Sequence, residues 1–362
     1  MKIASIVGAR PNFVKLGPIH KSLKGSGNEH LIFHTGQHYD YEMSDIFFSE
    51  FTLPKPDVHL GVGSGSSCFH IGEIIKRLES KLLEKQIDLV LVYGDTNSTL
   101  AGAICANKCN IKLGHIEAGL RSYDTSMPEE NNRILTDHLS NYLFAPTINA
   151  MNNLQKERIR GKVHLTGDLS VEIIRETSSI SKKSKILDIL NLKSKSYLLF
   201  TMHRAENTSS KYLFVQLLET FEALKDSIIV FPIHPRTKKM FESFGLLKRL
   251  LDCANVRTLL PIGYIDFIAL LQNSLKIVTD SGGIQKEAYL LKVPCVTMRR
   301  NTEWIETLKG QWNVLTGVDS RKIVKAIKRS SPGPKYSKWE FGNGKTSHVI
   351  SKLLSNIALN QS

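Results

Sequence analysis

The 362-residue sequence lacks most of the signals that announce a function directly. No apolar run approaches the roughly 20 residues a helix needs to cross a bilayer. The start, Met1-Lys2-Ile3-Ala4-Ser5-Ile6-Val7-Gly8-Ala9-Arg10, has a short apolar core and no convincing cleavage region, so it reads as a first strand rather than a signal peptide. The five cysteines (Cys68, Cys105, Cys109, Cys253, Cys295) are odd in number and scattered. Cys105 and Cys109 would share a helix face, but no second pair accompanies them, so no zinc or other metal site is expected. Reduced thiols in a cytoplasmic protein fit best. No Gly-x-Gly-x-x-Gly follows the first strand, which disfavours nicotinamide binding there. A nucleophile elbow, a metal-ligand cluster, a P-loop lysine and a short-period repeat are all missing as well.

What is present is an ordinary globular composition, 41 % hydrophobic and 23 % charged, with a strong basic excess of +14. The length exceeds what one core usually supports, so two domains are expected. The charge invites a nucleic-acid reading. Many of the lysines, however, fall on apparent helix and linker faces, as in Ser181-Lys182-Lys183-Ser184-Lys185, with no aromatic platform interleaved. Solvated surface is the better account, and neither a nucleic acid nor a membrane is expected as a partner. A basic field would equally attract a dianionic nucleotide.

Short apolar runs alternate with helical patterns. Strands are expected at 3–7, 31–34, 89–93, 112–116, 142–144 and 163–165, with helices such as 12–23, 71–83 and 96–107 between them. A polar patch at 176–195 interrupts the pattern and reads as a domain junction. Strands then recur at 197–201, 228–232, 256–260, 275–279, 294–298 and 313–315. A link, Ser331-Pro332-Gly333-Pro334, precedes a last helix near 347–359. The expected domains are 1–175 and 176–340, followed by a C-terminal helical segment, 341–362, that would pack back on the first. Such alternation implies an α/β fold of two doubly wound parallel-sheet units with ligand between them.

Polar residues gather at one place in this scheme, the carboxyl ends of the strands, where open parallel sheets bind ligands. They are Gly8-Ala9-Arg10-Pro11, His34-Thr35-Gly36-Gln37-His38, Gly94-Asp95-Thr96-Asn97, His115-Ile116-Glu117-Ala118-Gly119-Leu120-Arg121, His203-Arg204-Ala205-Glu206-Asn207-Thr208, His234-Pro235-Arg236-Thr237 and Asp280-Ser281-Gly282-Gly283. Seven such clusters are hard to assign to loop solvation. In the last, strand, small residues and helix start present bare backbone N–H groups and a positive dipole end to an anion. Gly282 and Gly283 would let a phosphate approach, and Glu287, one turn on, would reach a ribose joined to it.

Each residue also has a plainer structural reading. Ser281-Gly282-Gly283 alone could be a cap and turn. Arg10 is a candidate phosphate ligand or a surface arginine beside Pro11, and Lys15, one turn into the helix, is by default an exposed lysine. Asp95 could simply cap the helix that follows. Glu117, between Ile116 and Ala118 at the end of a buried run, has little reason to be there unless paired or chemical. Ser126-Met127-Pro128-Glu129 fits a capping box, while Glu130 and Arg133 could form an ion pair on one helix face. His203 and His234 end two apolar strands of the second unit and suggest a polar cleft. Carboxylates with a histidine and an arginine suggest acid/base work beside a phosphate leaving group.

Taken together, Gly8-Ala9-Arg10-Pro11, Gly94-Asp95-Thr96, His115 to Arg121, Pro128-Glu129-Glu130, His203-Arg204-Ala205-Glu206-Asn207 and Asp280-Ser281-Gly282-Gly283 resemble the non-hydrolysing UDP-N-acetylglucosamine 2-epimerases, in order and spacing, from Met1 to about Gly317. The resemblance implies a GT-B-like fold of two Rossmann-like domains facing a central cleft and, usually, a homodimer. It also implies interconversion of UDP-GlcNAc and UDP-ManNAc for surface polysaccharide precursors, without a cofactor, by elimination of UDP and its re-addition. By the same resemblance Asp95, Glu117 and Glu129 carry the acid/base roles, and His203 and Arg10 stabilise the departing diphosphate. Ser281, Gly282 and Gly283 would seat the phosphates, with Glu287 on the ribose. Lys15, Glu130, Arg133 and His234 complete the candidate substrate-binding set.

Two segments depart from the family pattern. Gln37-His38 is followed by Tyr39-Asp40 where many bacterial members carry an arginine of an allosteric site, and Thr302-Glu303-Trp304-Ile305-Glu306 stands where many read Thr-Glu-Arg-Pro-Glu. The Trp form resembles the branch acting on UDP-2,3-diacetamido-2,3-dideoxyglucuronic acid. Competing readings are a hydrolysing 2-epimerase, a retaining glycosyltransferase on the same architecture, and a nucleotide-sugar sensor or basic RNA-binding protein without catalysis.

Overall fold

The structure is a computed structural model that describes residues 1–36, 53–63, 65–204, 206–329, 332–333, 336–337 and 339–359. The Gln37-His38 segment and Ala205 lie outside the described residues, as do Ser331 and Pro334 of the link. The chain divides into two compact units, Met1–Ile173 with Lys338–Ser362, and Ile174–Ser337.

In the first unit the order is Lys2–Val7 (β1), Arg10–Lys24 (α1), Glu29–His34 (β2), Val58–His59 (β3), Ser67–Glu84 (α2), Leu89–Tyr93 (β4), Asn97–Lys108 (α3) and Lys112–Ile116 (β5). Pro128–Leu139 (α4), Tyr142–Ala145 (β6), Ile148–Lys156 (α5), Lys162–Leu165 (β7) and Ser170–Ile180 (α6) follow. The described strands form one parallel sheet ordered β3-β2-β1-β4-β5-β6-β7. Its centre is apolar on both faces, and Leu89 to Tyr93 are all buried. Helices cover both sides of such a sheet, so a continuous run replaces the alternating pattern of a half-exposed strand. Ile6, Phe33, Ile74, Leu78, Leu82, Val90 and Val92 make one core cluster. The last helix, Thr346–Leu359, packs against α1, where Ser351 Oγ donates to Ser22 O at 3.1 Å.

In the second unit Ile186–Ile189 (α7), Tyr197–Thr201 (β8), Lys211–Ala223 (α8), Ile228–Pro232 (β9), Pro235–Ser243 (α9), Leu247–Leu251 (α10) and Val256–Leu259 (β10) come first. Tyr264–Asn273 (α11), Lys276–Thr279 (β11), Gly282–Leu290 (α12), Cys295–Thr297 (β12), Asn313–Leu315 (β13) and Ser320–Lys328 (α13) complete the second unit, and the chain ends in Thr346–Leu359 (α14) of the first. The described strands again form one parallel sheet, β10-β9-β8-β11-β12-β13. Its core is phenylalanine-rich, with Phe200 edge-on to Phe221 at 5.1 Å and Phe214 edge-on to Phe241 at 4.6 Å. Burying each such ring stabilises the unit by about 1.5–3 kcal/mol.

The polar patch at 176–195 is not an interruption. The division between units falls inside α6, and the patch folds as short helices of the second unit, with Ile186 buried. Its polar groups make specific bonds: Ser184 Oγ donates to Asp266 at 2.5 Å, and Lys195 Nζ donates to the carbonyls of Gln272 and Ser274 at 2.8 and 2.9 Å, closing the end of α11. Low hydrophobicity here reflects short helices with one buried side rather than a linker.

Both sheets reverse direction once. In the first, β1 leads outward to β2 and β3 while β4 leads the other way; in the second, β8 and β11 flank the same kind of switch. Loops at a switch point part to opposite faces and leave a crevice at the carboxyl edge.

Candidate active site

The switch point of the first unit collects the loop after β1, which opens α1, and the loop after β4, which carries Asp95. Lys15, one turn into α1, is not an exposed lysine. Its ammonium is in direct ion-pair contact with Glu117, and the two side chains are only 12 % and 9 % exposed. Gly94 sits against this pair: a Cβ there would lie 3.3 Å from Glu117 Oε2 and 3.4 Å from Lys15 Nζ, and its φ of +64° is itself left-handed. Glu117 adopts φ +74°, a conformation that costs a residue with a Cβ about 1–3 kcal/mol and persists where surroundings impose it. The imposing groups are visible, since the N–H groups of both Glu117 and Ala118 donate to Phe144 O at 3.2 Å. The buried carboxylate is therefore paired, as its sequence position led one to expect, and it is also held in a strained backbone that the sequence did not signal.

Asp95 does not cap the helix after it. Thr96 does, accepting from Thr99 N at 3.3 Å, which leaves the Asp95 carboxylate, 27 % exposed, to pair with Arg133. The Asp95 carbonyl is held by Asn132 Nδ2 at 2.9 Å. The expected capping box at Ser126 is also absent. The N-cap position of α4 is Met127, with Pro128 at N1, and Ser126 instead donates to Asp124 at 2.5 Å because it stands one residue too early. Glu129 remains half-buried in the first turn of α4, where the helix dipole favours its charge.

Glu130 and Arg133 do form the anticipated ion pair, at 2.7 Å. The Glu130 carboxylate, 1 % exposed, also accepts from Ser122 N at 3.0 Å and Tyr123 N at 2.8 Å. It is spent on fixing the 122–127 loop, and Arg133 links that loop to Asp95. Arg10 opens α1, but its side chain lies outside what the structure describes.

The second unit repeats the arrangement at its own switch point. His203 follows β8 and Asp280 follows β11. Asp280 is fully buried and accepts from His203 N at 3.0 Å, Arg204 N at 2.9 Å and Asn207 Nδ2 at 3.2 Å, with His203 Nδ1 3.2 Å away. Burial alone would raise its pKa, but the charge and bonds of His203 and the backbone N–H of Arg204 outweigh this and bring it to about 2. An ionised Asp280 fixes hydrogen on Nδ1 of His203 and leaves Nε2, on a ring 40 % exposed, for a ligand. His234 caps α9 by accepting from Arg236 N at 3.1 Å, and its ring lies 5.8 Å from that of His203.

Ser281 is the N-cap of α12 and makes no side-chain cap bond, so it does not use its hydroxyl to close the first turn. Gly282 faces inward, where a Cβ would collide with the Glu303 carboxylate, whereas Gly283 is exposed with nothing within 4 Å of its Cβ position. Glu287 is half-buried and accepts from Tyr264 Oη at 2.9 Å, which orients it. Trp304, the residue that departs from the family pattern, is 2 % exposed under Lys286, whose Nζ lies 3.9 Å from the ring centroid. Glu303 pairs with Arg299 at 2.8 Å. The difference at Trp304 is thus one of packing behind the start of α12 rather than of an exposed contact.

Sequence reasoning placed Asp280, His115 and Arg121 in its polar clusters without giving them a role, and it did not name Tyr264, Asn132 or Asp137. Asp280 gave the same signal as Glu117, a carboxylate ending a buried strand. Tyr264 gave none. Among the described residues, no three His, Cys, Asp or Glu side chains converge as metal ligands, and no helix is long and apolar enough to cross a membrane.

Known proteins share both sequence and fold with this chain. The family model described as UDP-N-acetylglucosamine 2-epimerase matches residues 21–355. A UDP-N-acetylglucosamine 2-epimerase homolog of Methanococcus maripaludis is 48 % identical over 99 % of this chain and all of its own length. The UDP-2,3-diacetamido-2,3-dideoxy-D-glucuronate 2-epimerase of Pseudomonas aeruginosa is 38 % identical over 99 % of this chain and all of its own. The crystal structure of the Methanocaldococcus jannaschii UDP-GlcNAc 2-epimerase, in complex with UDP-GlcNAc and UDP, superposes with a TM-score of 0.92 at 40 % identity, covering 98 % of this chain and 100 % of that one. With the family model matched over residues 21–355 and relatives similar along the whole chain, the chain belongs to the UDP-N-acetylglucosamine 2-epimerase family.

Proposed function

We propose that the chain interconverts the C2 epimers of a UDP-2-acetamido sugar, UDP-GlcNAc and UDP-ManNAc, by eliminating and re-adding UDP. The supporting observation is the division of labour: the first unit holds carboxylates on strained or tethered backbone, and the second presents a bare helix start beside an Asp280-oriented His203. The C2 hydrogen of an acetamido sugar is not acidic, so direct deprotonation is very slow. Breaking the C1–O bond sends its electron pair to UDP and builds positive charge at C1, which makes the C2 proton removable. Its loss gives a 2-acetamidoglucal. Returning a proton to the opposite face of C2 while UDP re-forms the C1–O bond inverts C2, with no net electron transfer. Amides of Ser281 to Gly283 and His203 Nε2 serve the diphosphate, Glu287 serves the ribose, and Asp95, Glu117 and Glu129 move the proton and stabilise the cation.

The test is solvent deuterium. Substrate incubated in deuterium oxide should acquire one deuterium at C2 in step with epimerisation, and unlabelled sugar at full turnover would sink the reading. Glu117→Gln should abolish labelling by roughly three orders of magnitude while UDP still binds. Free UDP accumulating irreversibly with sugar consumption would instead identify hydrolysis. A homodimer in the cytoplasm is part of the same reading, with light scattering expected at twice the chain mass.

A second substrate has one observation behind it. The buried Trp304 belongs to a pattern that resembles the diacetamido-glucuronate branch, and the Pseudomonas aeruginosa relative bears that name. Assaying both UDP sugars side by side decides between them by kcat/KM.

A further inference from the structure

Behind the carboxylates of the first unit lies a buried group of charges that the proposed chemistry does not use. His115, on β5, is fully buried. Its Nδ1 is 2.7 Å from Asp137 Oδ1 and its Nε2 is 2.8 Å from Gly94 O. A carbonyl and a carboxylate oxygen both accept, and a neutral imidazole has a single N–H to offer. One hydrogen is therefore needed beyond the neutral ring, on either His115 or Asp137.

The surroundings assign it. Asp137, also fully buried, accepts through its other oxygen from Gly119 N at 3.1 Å and lies 2.7 Å from Arg121 NH1. Arg121 is in turn held by Glu157, with both contacts at 2.7 Å. Burial by itself would raise the Asp137 pKa, but His115 and Arg121 together outweigh it and lower the pKa below the ordinary value. An arginine and a backbone N–H on its other oxygen favour the charged carboxylate, which leaves the extra hydrogen to the ring. Asp137 on α4 and the Gly94 carbonyl after β4 are the groups bonded to that ring, while Lys15 from α1 and Glu117, two residues on, lie against the Cβ position of Gly94.

We propose that His115 is a positioning residue working as an imidazolium clamp: both ring nitrogens donate, tying the Gly94–Asp95 turn to α4 and so holding Asp95, Glu117 and Glu129 in register. The three acid/base segments end β4, end β5 and begin α4; His115 lies in β5 itself, bonds the Gly94 carbonyl after β4, and bonds Asp137 in the last turn of the helix that Glu129 begins. A shift of a few tenths of an ångström at Gly94 O would be passed directly to Asp95 and to the Lys15–Glu117 pair against which Gly94 packs. The role of those carboxylates rests on the epimerase reading; the proton count at His115 does not.

The experiment reads both parts separately. Ring-15N histidine labelling of the whole chain, with His115→Asn identifying the resonance among the 12 histidines, reports hydrogens on each nitrogen at the assay pH without any substrate. Two N–H groups at His115 are expected, and a single N–H overturns the proposal. Asp137→Asn preserves volume but lets an amide donate to Nδ1. It is expected to leave one N–H on the ring and to lower kcat for UDP-GlcNAc about 100-fold with KM changed less than about threefold. Unchanged kcat in that variant, with the ring reduced to one N–H, also overturns it. If neither UDP sugar is turned over by the unsubstituted chain, the epimerase reading fails while the ring measurement still decides the proton count.

Discussion

The Lys15 ammonium and the Glu117 carboxylate form a buried ion pair across the Cα of Gly94, joining the helix after β1 to the strand end of β5. A cation in contact with a carboxylate favours its charged form. Lys15→Met removes the cation and retains the packing, so Glu117 should take up a proton at higher pH than before. The acid limb of the kcat/KM profile is expected to move upward, with kcat at pH 7 falling about 100-fold, a loss of roughly 3 kcal/mol in transition-state stabilisation. An acid limb that stays in place would show that Glu117 is not the group titrating there.

Gly282 and Gly283 are adjacent and should behave oppositely. Gly282→Ala drives a methyl into the buried Glu303 carboxylate and disturbs its pair with Arg299, so it should lower thermal stability as well as UDP affinity. Gly283→Ala meets nothing within 4 Å and should melt like the parent. If a phosphate lies against Gly283, the added methyl weakens UDP binding at least tenfold, about 1.4 kcal/mol by calorimetry. Normal UDP affinity in Gly283→Ala would move the phosphate seat elsewhere.

Asp280 makes the second unit sensitive to acid. Its pKa is about 2 against an ordinary 3.8, so the stabilisation it gives is complete above about pH 4 and is lost as pH falls through 2. The gap corresponds to about 2 kcal/mol at neutral pH. Asp280→Asn should therefore melt well below the parent at pH 7, and the difference should shrink steadily from pH 4 toward pH 2. A difference independent of pH would mean that Asp280 acts through shape and not charge.

These residues also show where the sequence was legible. Buried parallel strands are near-continuous apolar runs, so 89–93, 112–116, 197–201 and 228–232 coincide with the observed strands. Glu117 stood out for the same reason, a charge at the end of such a run. The two-residue strand at Val58–His59 carries too few residues for any pattern. Roles that depend on partners distant in sequence left no trace either. The Glu130–Arg133 pair was legible at helical spacing, but the bonds of Glu130 to Ser122 and Tyr123 were not, and Asp95 looked like a cap until Arg133 was found on it. His115 needed the fold most of all, because its acceptors come from 21 and 22 residues away on opposite sides in the sequence.

Lys276 supplies a prediction independent of catalysis. It opens β11, is 7 % exposed, and its ammonium donates to Ile327 O and Arg329 O at 2.7 Å and to Ala326 O at 3.3 Å. Those carbonyls belong to the last turn of α13 and the residue beyond it, which have no intrahelical donors. A buried cation at a helix C-terminus also opposes the negative end of the dipole. Burial, followed by the charge of Arg329, lowers its pKa, the expected cost of holding an ammonium inside. Lys276→Met keeps the apolar stem and strands the carbonyls. The second unit should lose about 2 kcal/mol, a drop of roughly 5 °C in its melting transition. UDP affinity measured at low temperature should be unchanged, because β11 ends at Thr279, just before Asp280, with its register to β8 and β12 intact. An unaltered melting transition would mean that water reaches the end of α13 and that the lysine is dispensable to the fold.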